Sequence, residues 1–193
     1  MKNKIIFITL LILAIIIIVT SVLLQTNKAW STYYNTNYNF TIKYPSEIFK
    51  QDNFSCVIPV SEGKNITDDS AVVFKHTFPF EWSDDADNSQ QEMTDMSIEL
   101  CVVDGNYQDL VNYYDSLTPV TVDKHEAIKI EMGAEGAGVE LYYFPLDNNK
   151  SLIIDYHYIS SFIDQRLTEE KQYITIEKQK EILRQMLESL KLN

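Results

Sequence analysis

The sequence predicts an α+β domain, a mostly antiparallel sheet with helices lying on it, carried behind one N-terminal transmembrane helix. Three observations lead there: an uncharged apolar run from Ile5 to Leu24, a series of later runs rich in β-branched and aromatic residues, and a charged C-terminal stretch with apolar residues at helical spacing. At 193 residues, 45% hydrophobic and 12% aromatic, the chain fits one folded domain plus an appendage.

The apolar run "IIFITLLILAIIIIVTSVLL" holds twenty residues without a charge, a Gly or a Pro. At ~1.5 Å of rise per residue, a helix of this length crosses the ~30 Å hydrocarbon layer of a bilayer. Only a helix satisfies its own backbone there. The run exceeds an ordinary signal-peptide core, no A-x-A-like cleavage site follows, and the cysteines, Cys56 and Cys101, are too distant for a lipoprotein signal. An uncleaved anchor is expected. Lys2, Lys4 and the amino terminus precede it, which places the N-terminus in the cytoplasm and the domain outside the cell membrane.

The expected division is 1–24 for the cytoplasmic tip and anchor, 25–37 for a tether, and 38–193 for the extracytoplasmic domain. Within the tether, Trp30, Tyr33 and Tyr34 suit either the headgroup level or packing on the domain. Beyond Lys28 the chain carries 13 basic against 28 acidic groups, so nucleic acid and anionic headgroups are repelled rather than bound.

In the domain, "YNFTIKYP" sets Tyr38, Phe40, Ile42 and Tyr44 at every second position, the period of a strand with one buried face, and Pro45 ends it. Runs of strand length and composition start at Phe54, Ala71, Met96, Ala127, Val139 and Ser151. Tyr107, Leu110, Val111, Tyr114 and Leu117 predict a short amphipathic helix closed by Pro119. From about Glu169 to Leu190, Ile174, Ile182, Leu183, Met186, Leu187 and Leu190 predict a longer helix whose stripe must lie on the sheet.

No catalytic, cofactor-binding or metal-ligating set stands out, and no cofactor is expected. The acidic stretch Glu81 to Asp95 offers Asp84, Asp85, Asp87 and Asp95 as oxygen donors, but lacks the glycine and terminal glutamate of an EF-hand loop and reads as a solvated loop. "GAEGAGVE", Gly133 to Glu140, has strand-like flanks and acidic charge, so it reads as a hairpin connection rather than a phosphate cradle. His76, His125 and His157 are scattered, without the i+3 or i+4 spacing of zinc ligands. Cys56 and Cys101 allow one disulfide or two buried thiols, and both readings stay open. Asn39, Asn53, Asn65 and Asn149 begin N-x-[ST] triplets, which arise by chance in a chain rich in these residues.

Taken in order, the opening strand "YNFTIKYP", the Tyr107–Leu117 helix leading to the strand pair in "VTVDKHEAIKIE", the tyrosine-rich strand after Ser151 and the tail "ILRQMLESLKLN" resemble the PsbP-like family. The pattern departs from it at Lys124 and His125, where a glycine is usual, and at Leu190 and Leu192, where phenylalanines are. The resemblance implies an α/β/α sandwich around a central, mostly antiparallel sheet. It implies an accessory, protein-binding role without enzyme activity. The expectation is a membrane-anchored extracytoplasmic domain with a protein partner. Two rivals stand beside it: a small envelope hydrolase or transferase with dispersed catalytic residues, and a divalent-cation sensor using the 81–95 loop.

Overall fold

A computed structural model describes residues 30–53, 58–60, 64–66, 71–80, 91–105, 114, 116–134, 137–146, 149–159, 167 and 172–192. The expected anchor at 5–24, the acidic residues 81–90 and most of the helix expected at Tyr107–Leu117 lie outside them. Among the described residues no helix is long and apolar enough to cross a membrane.

The strands in chain order are β1 (Trp30–Asn35), β2 (Phe40–Pro45), β3 (Lys50–Asn53), β4 (Ile58–Val60), β5 (Lys64–Ile66), β6 (Val72–Phe80), β7 (Gln91–Asp104), β8 (Thr118–Val122), β9 (His125–Ala134), β10 (Ala137–Leu146) and β11 (Lys150–Ile159). Helix α1 (Ile176–Glu188) and the short β12 (Lys191–Leu192) follow. A seven-stranded sheet runs β3-β6-β7-β11-β10-β9-β8, a second sheet runs β1-β2-β12, and β4 pairs with β5. The described pairings are all antiparallel. The fold is therefore α+β, an antiparallel sheet with a helix on one face.

The two-residue period decides which side chains meet that helix. Phe74 on β6, Met96, Ile98 and Leu100 on β7, Leu152, Ile154 and Tyr156 on β11, and Tyr142 and Phe144 on β10 form one buried cluster with Ile182, Leu183, Met186 and Leu187 of α1. Phe40 and Ile42 are 1% and 0% exposed in the same cluster, so the alternation in "YNFTIKYP" is one wall of the core. Each such side chain contributes roughly 1.5–3 kcal/mol by leaving water. The residues between them point to the other face, where Cys101, Val103, Ile130, Leu141, Tyr143 and Ile153 form a second buried cluster with Tyr114 packed against it.

The ends of α1 tie the layers together. Its first turn carries Glu177, favourable at the positive end of the helix dipole. At its other end the Lys43 amide donates to Ser189 Oγ at 2.8 Å, and β12 then pairs with Thr41 and Phe40 of β2. The chain's tail thus closes on its opening strand.

Several expectations shift. The sheet reaches back to Trp30, inside the stretch expected as a tether at 25–37: β1 pairs along all of β2, and Trp30 and Tyr33 pack on the core. Of the acidic loop expected at 81–95, residues Gln91–Asp95 belong to β7, with Met93 and Asp95 buried. Pro119 sits in the edge strand β8, where its missing N–H costs no ladder bond on the open side. Tyr114, Ser116 and Leu117 are not helical, and α1 is shorter than Glu169–Leu190. Cys101 is disulfide-bonded, which answers the open cysteine question at that residue; Cys56 lies outside the described residues.

Candidate functional site

The face of the seven-stranded sheet turned away from α1 is apolar at one end and polar at the other. Lys75 on β6, Ser97 and Glu99 on β7, and His157 on β11 line an open cleft of about 820 Å³, with Met132 on β9 and Val139 on β10 at its apolar side. Registers explain the convergence: Lys75 pairs with Ser97, Ser97 with His157, and Glu99 with Asp155. Antiparallel partners share a face, so three neighbouring strands present one polar patch.

Where Glu99 and His157 line it, donor atoms of Glu99, Asp155 and His157 lie within 4.8 Å of one another. His157 Nε2 is 3.0 Å from Asp155 Oδ1, an ionic approach; that oxygen is buried and receives no aligned hydrogen bond. Burial raises the Glu99 pKa and the neighbouring Asp155 charge adds to it, against the pull of His157 and Lys75. Contact with Asp155 raises the His157 pKa, outweighing the burial that lowers it. Two carboxylates and an imidazole so disposed can hold a proton among them or ligate a cation.

Glycines shape the neighbouring edge of the cleft. A Cβ on Gly138 would stand 2.2 Å from the Tyr158 hydroxyl, and one on Gly133 would stand 2.7 Å from the Ala137 carbonyl. Gly133 and Gly138 are register partners, so the "GAEGAGVE" segment is the β9–β10 hairpin expected, with its glycines set where backbones and a tyrosine ring come too close for side chains.

No family model and no curated protein matches the chain. Two solved structures are similar to it. One is a protein from Bacteroides thetaiotaomicron VPI-5482, with TM-score 0.43 and 12% identity over 84% of this chain and 48% of that one. The other is the Saccharomyces cerevisiae Ran-binding protein Mog1p, with TM-score 0.41 and 9% identity over 84% of this chain and 95% of that one. The chain spans about half the length of the first. Neither likeness bears on chemistry.

The residues singled out in the sequence fall in different places. Asp84, Asp85 and Asp87 lie outside the described residues. Asp95 is 1% exposed and bound on both sides: His76 Nδ1 is 2.6 Å from Oδ1, and the Ile174 amide donates to Oδ2 at 2.8 Å. It is the extra residue of a bulge between His76 and Thr77, which turns it toward the segment entering α1. It therefore latches structure and is no free ligand of an acidic loop. The three histidines do not gather: His76 serves this latch, His125 opens β9, and His157 lies in the cleft. Asn39 and Asn149 take left-handed backbone conformations at turns, φ 52° and 56°, which accounts for asparagine there without a glycan.

A second polar cluster lies beside α1. Lys129 Nζ is 3.0 Å from Glu140 Oε2, and the Tyr142 hydroxyl donates to the same oxygen at 2.8 Å. Lys129 also pairs with Glu131. Burial works against the Lys129 ammonium, but these bonds outweigh it and raise its pKa, while the bond from Lys129 lowers that of Glu131. Every charge there has a partner, as in a structural network. The Glu99, Asp155 and His157 set went unremarked in the sequence. Its signal was present in "IIDYHYI", where D-x-H places two polar side chains on one face of an otherwise apolar strand.

Proposed function

We propose that the chain is a single-pass membrane protein whose extracytoplasmic, PsbP-like domain binds a segment of a partner protein in the cleft. The observation carrying the binding reading is the cleft itself, a recess of about 820 Å³ combining exposed Met132 with Lys75, Glu99 and His157 on rigid strands. Mixed apolar and charged lining of this kind suits a protein segment better than a single small polar molecule. The anchor rests on the uncharged length of residues 5–24 and the preceding lysines. The PsbP-like assignment, with its α/β/α layering, is supported by the order of elements: the aromatic opening strand, the β8–β9 hairpin, the tyrosine-rich β11, and a final helix whose tail returns to β2.

The test uses the full chain in intact cells. A photo-crosslinking residue at Met132 is expected to capture a reproducible protein species that the same probe at Tyr34, on the separate β1 strand, does not. Equal capture at both positions, or none at Met132, overturns the cleft as the binding face. Impermeant labelling of a cysteine introduced at exposed Glu126, against one introduced at Lys2, tests orientation: only the first is expected to react from outside.

A second reading, a small envelope hydrolase, draws on the convergence of Ser97, Glu99 and His157 in one cleft. It predicts turnover of ester or phosphoester probes that Ser97→Ala abolishes. Turnover unchanged by that substitution removes it.

A further inference from the structure

We infer that Glu99, Asp155 and His157 form a binding site for a divalent transition-metal ion of the zinc class, open toward the cleft. The inference stands whether or not a protein partner occupies the same recess. Glu99 and Asp155 are direct cross-strand partners in two interior strands of the sheet. Like charges placed opposite each other are destabilising, and here the Asp155 side chain is 25% exposed and Glu99 is half-buried. A sheet that holds them there needs a counter-charge.

Two observations mark the cluster as one that suits a cation. Asp155 Oδ1 is buried, with His157 Nε2 3.0 Å away in an ion pair that is not aligned as a hydrogen bond. The donor atoms of Glu99, Asp155 and His157 lie within 4.8 Å of one another, a span that the ligands of one ion can bridge. His157 and Lys75 both act on Glu99 and offset part of the charge.

The donor set selects the ion. One imidazole nitrogen with two carboxylates is a zinc-class set, also usable by manganese or cobalt, whereas calcium requires six to eight oxygens. All three residues sit on paired strands, so the geometry is preorganised. Glu99 and His157 line the cleft, from which a water or a partner's side chain can complete the shell.

The experiment is a titration of the untagged, detergent-solubilised full chain, stripped by chelator, with zinc chloride alone and then calcium chloride alone, followed by calorimetry. Cobalt chloride provides a spectroscopic readout. Saturable 1:1 zinc binding is expected, weakened at least tenfold by His157→Ala and by Glu99→Gln. Lys75→Met, which removes the competing ammonium, is expected to bind at least as tightly as the unaltered chain. Cobalt should give a visible absorption band that His157→Ala loses. His157 is half exposed, so its substitution preserves the fold even where Glu99→Gln does not, and far-ultraviolet circular dichroism checks both. Absence of saturable zinc binding overturns the inference, as does binding unchanged in His157→Ala. Calcium competing at equal concentration overturns the zinc-class assignment.

Discussion

At the scale of single residues, the buried polar groups decide most. Asp95 accepts from the Ile174 amide and meets His76, so Asp95→Ala leaves two donors without a partner in a dry setting. The expected loss is about 3 kcal/mol in urea unfolding, with Asp95→Asn losing less. Gln179, 0% exposed, donates through Nε2 to the Ile159 and Ile174 carbonyls. Gln179→Leu, although more apolar, is expected to destabilise by about 1–3 kcal/mol because the Ile174 carbonyl loses its side-chain donor and the Ile159 carbonyl keeps only the Tyr173 hydroxyl. Gly138→Ala drives a methyl into the Tyr158 ring and should cost about 1–3 kcal/mol, with Tyr158→Ala in the same chain relieving part of the clash, as a double-mutant cycle measures. Glu131 has a folded-state pKa lowered by Lys129, so its contribution is present above about pH 4.5 and is lost as pH falls further. Its side chain is 63% exposed, so solvent screening keeps the effect small. Glu131→Gln should make the acid limb of the stability profile shallower and leave neutral-pH stability nearly unchanged.

At the scale of elements, α1 and β2 hold each other. Ile182, Leu183, Met186 and Leu187 give the helix one apolar stripe, and the sheet beneath gives it a partner. Leu183→Ala is expected to lower stability by about 2–5 kcal/mol, the range for emptying a packed aliphatic site. Much of this was legible beforehand: the stripe, the alternation in β2 and the runs that became β6, β7, β9, β10 and β11 all follow from period. Other elements were not. β3 reads "KQDN", four exposed polar residues whose strand geometry comes entirely from pairing with β6. Residues Gln91–Asp95 look like loop because acids surround them, yet pairing with Thr77–Phe80 across a bulge makes them strand. Edge and bulge positions are governed by a neighbour distant in sequence, and local pattern carries no record of it.

At the scale of the whole molecule, Cys101 is covalently tied while its neighbours build the second buried cluster. Reduction should change the intact mass and lower the melting temperature, consistent with the roughly 2–4 kcal/mol typical of a disulfide. No change in mass on reduction would mean that the bond is absent.

The sequence by itself determined the apolar 5–24 segment, the acidic balance, the antiparallel sheet and the final helix, because each is written in composition or in a period of neighbouring residues. Only the tertiary structure decided which side chains meet. Glu99 and Asp155 are 56 positions apart and face each other because β11 inserts between β7 and β10 in that register. Asp95 turns inward because one extra residue is accommodated opposite β6. Convergence of this kind is a property of strand order and register, quantities set by the packing of the whole sheet and absent from any local stretch of chain.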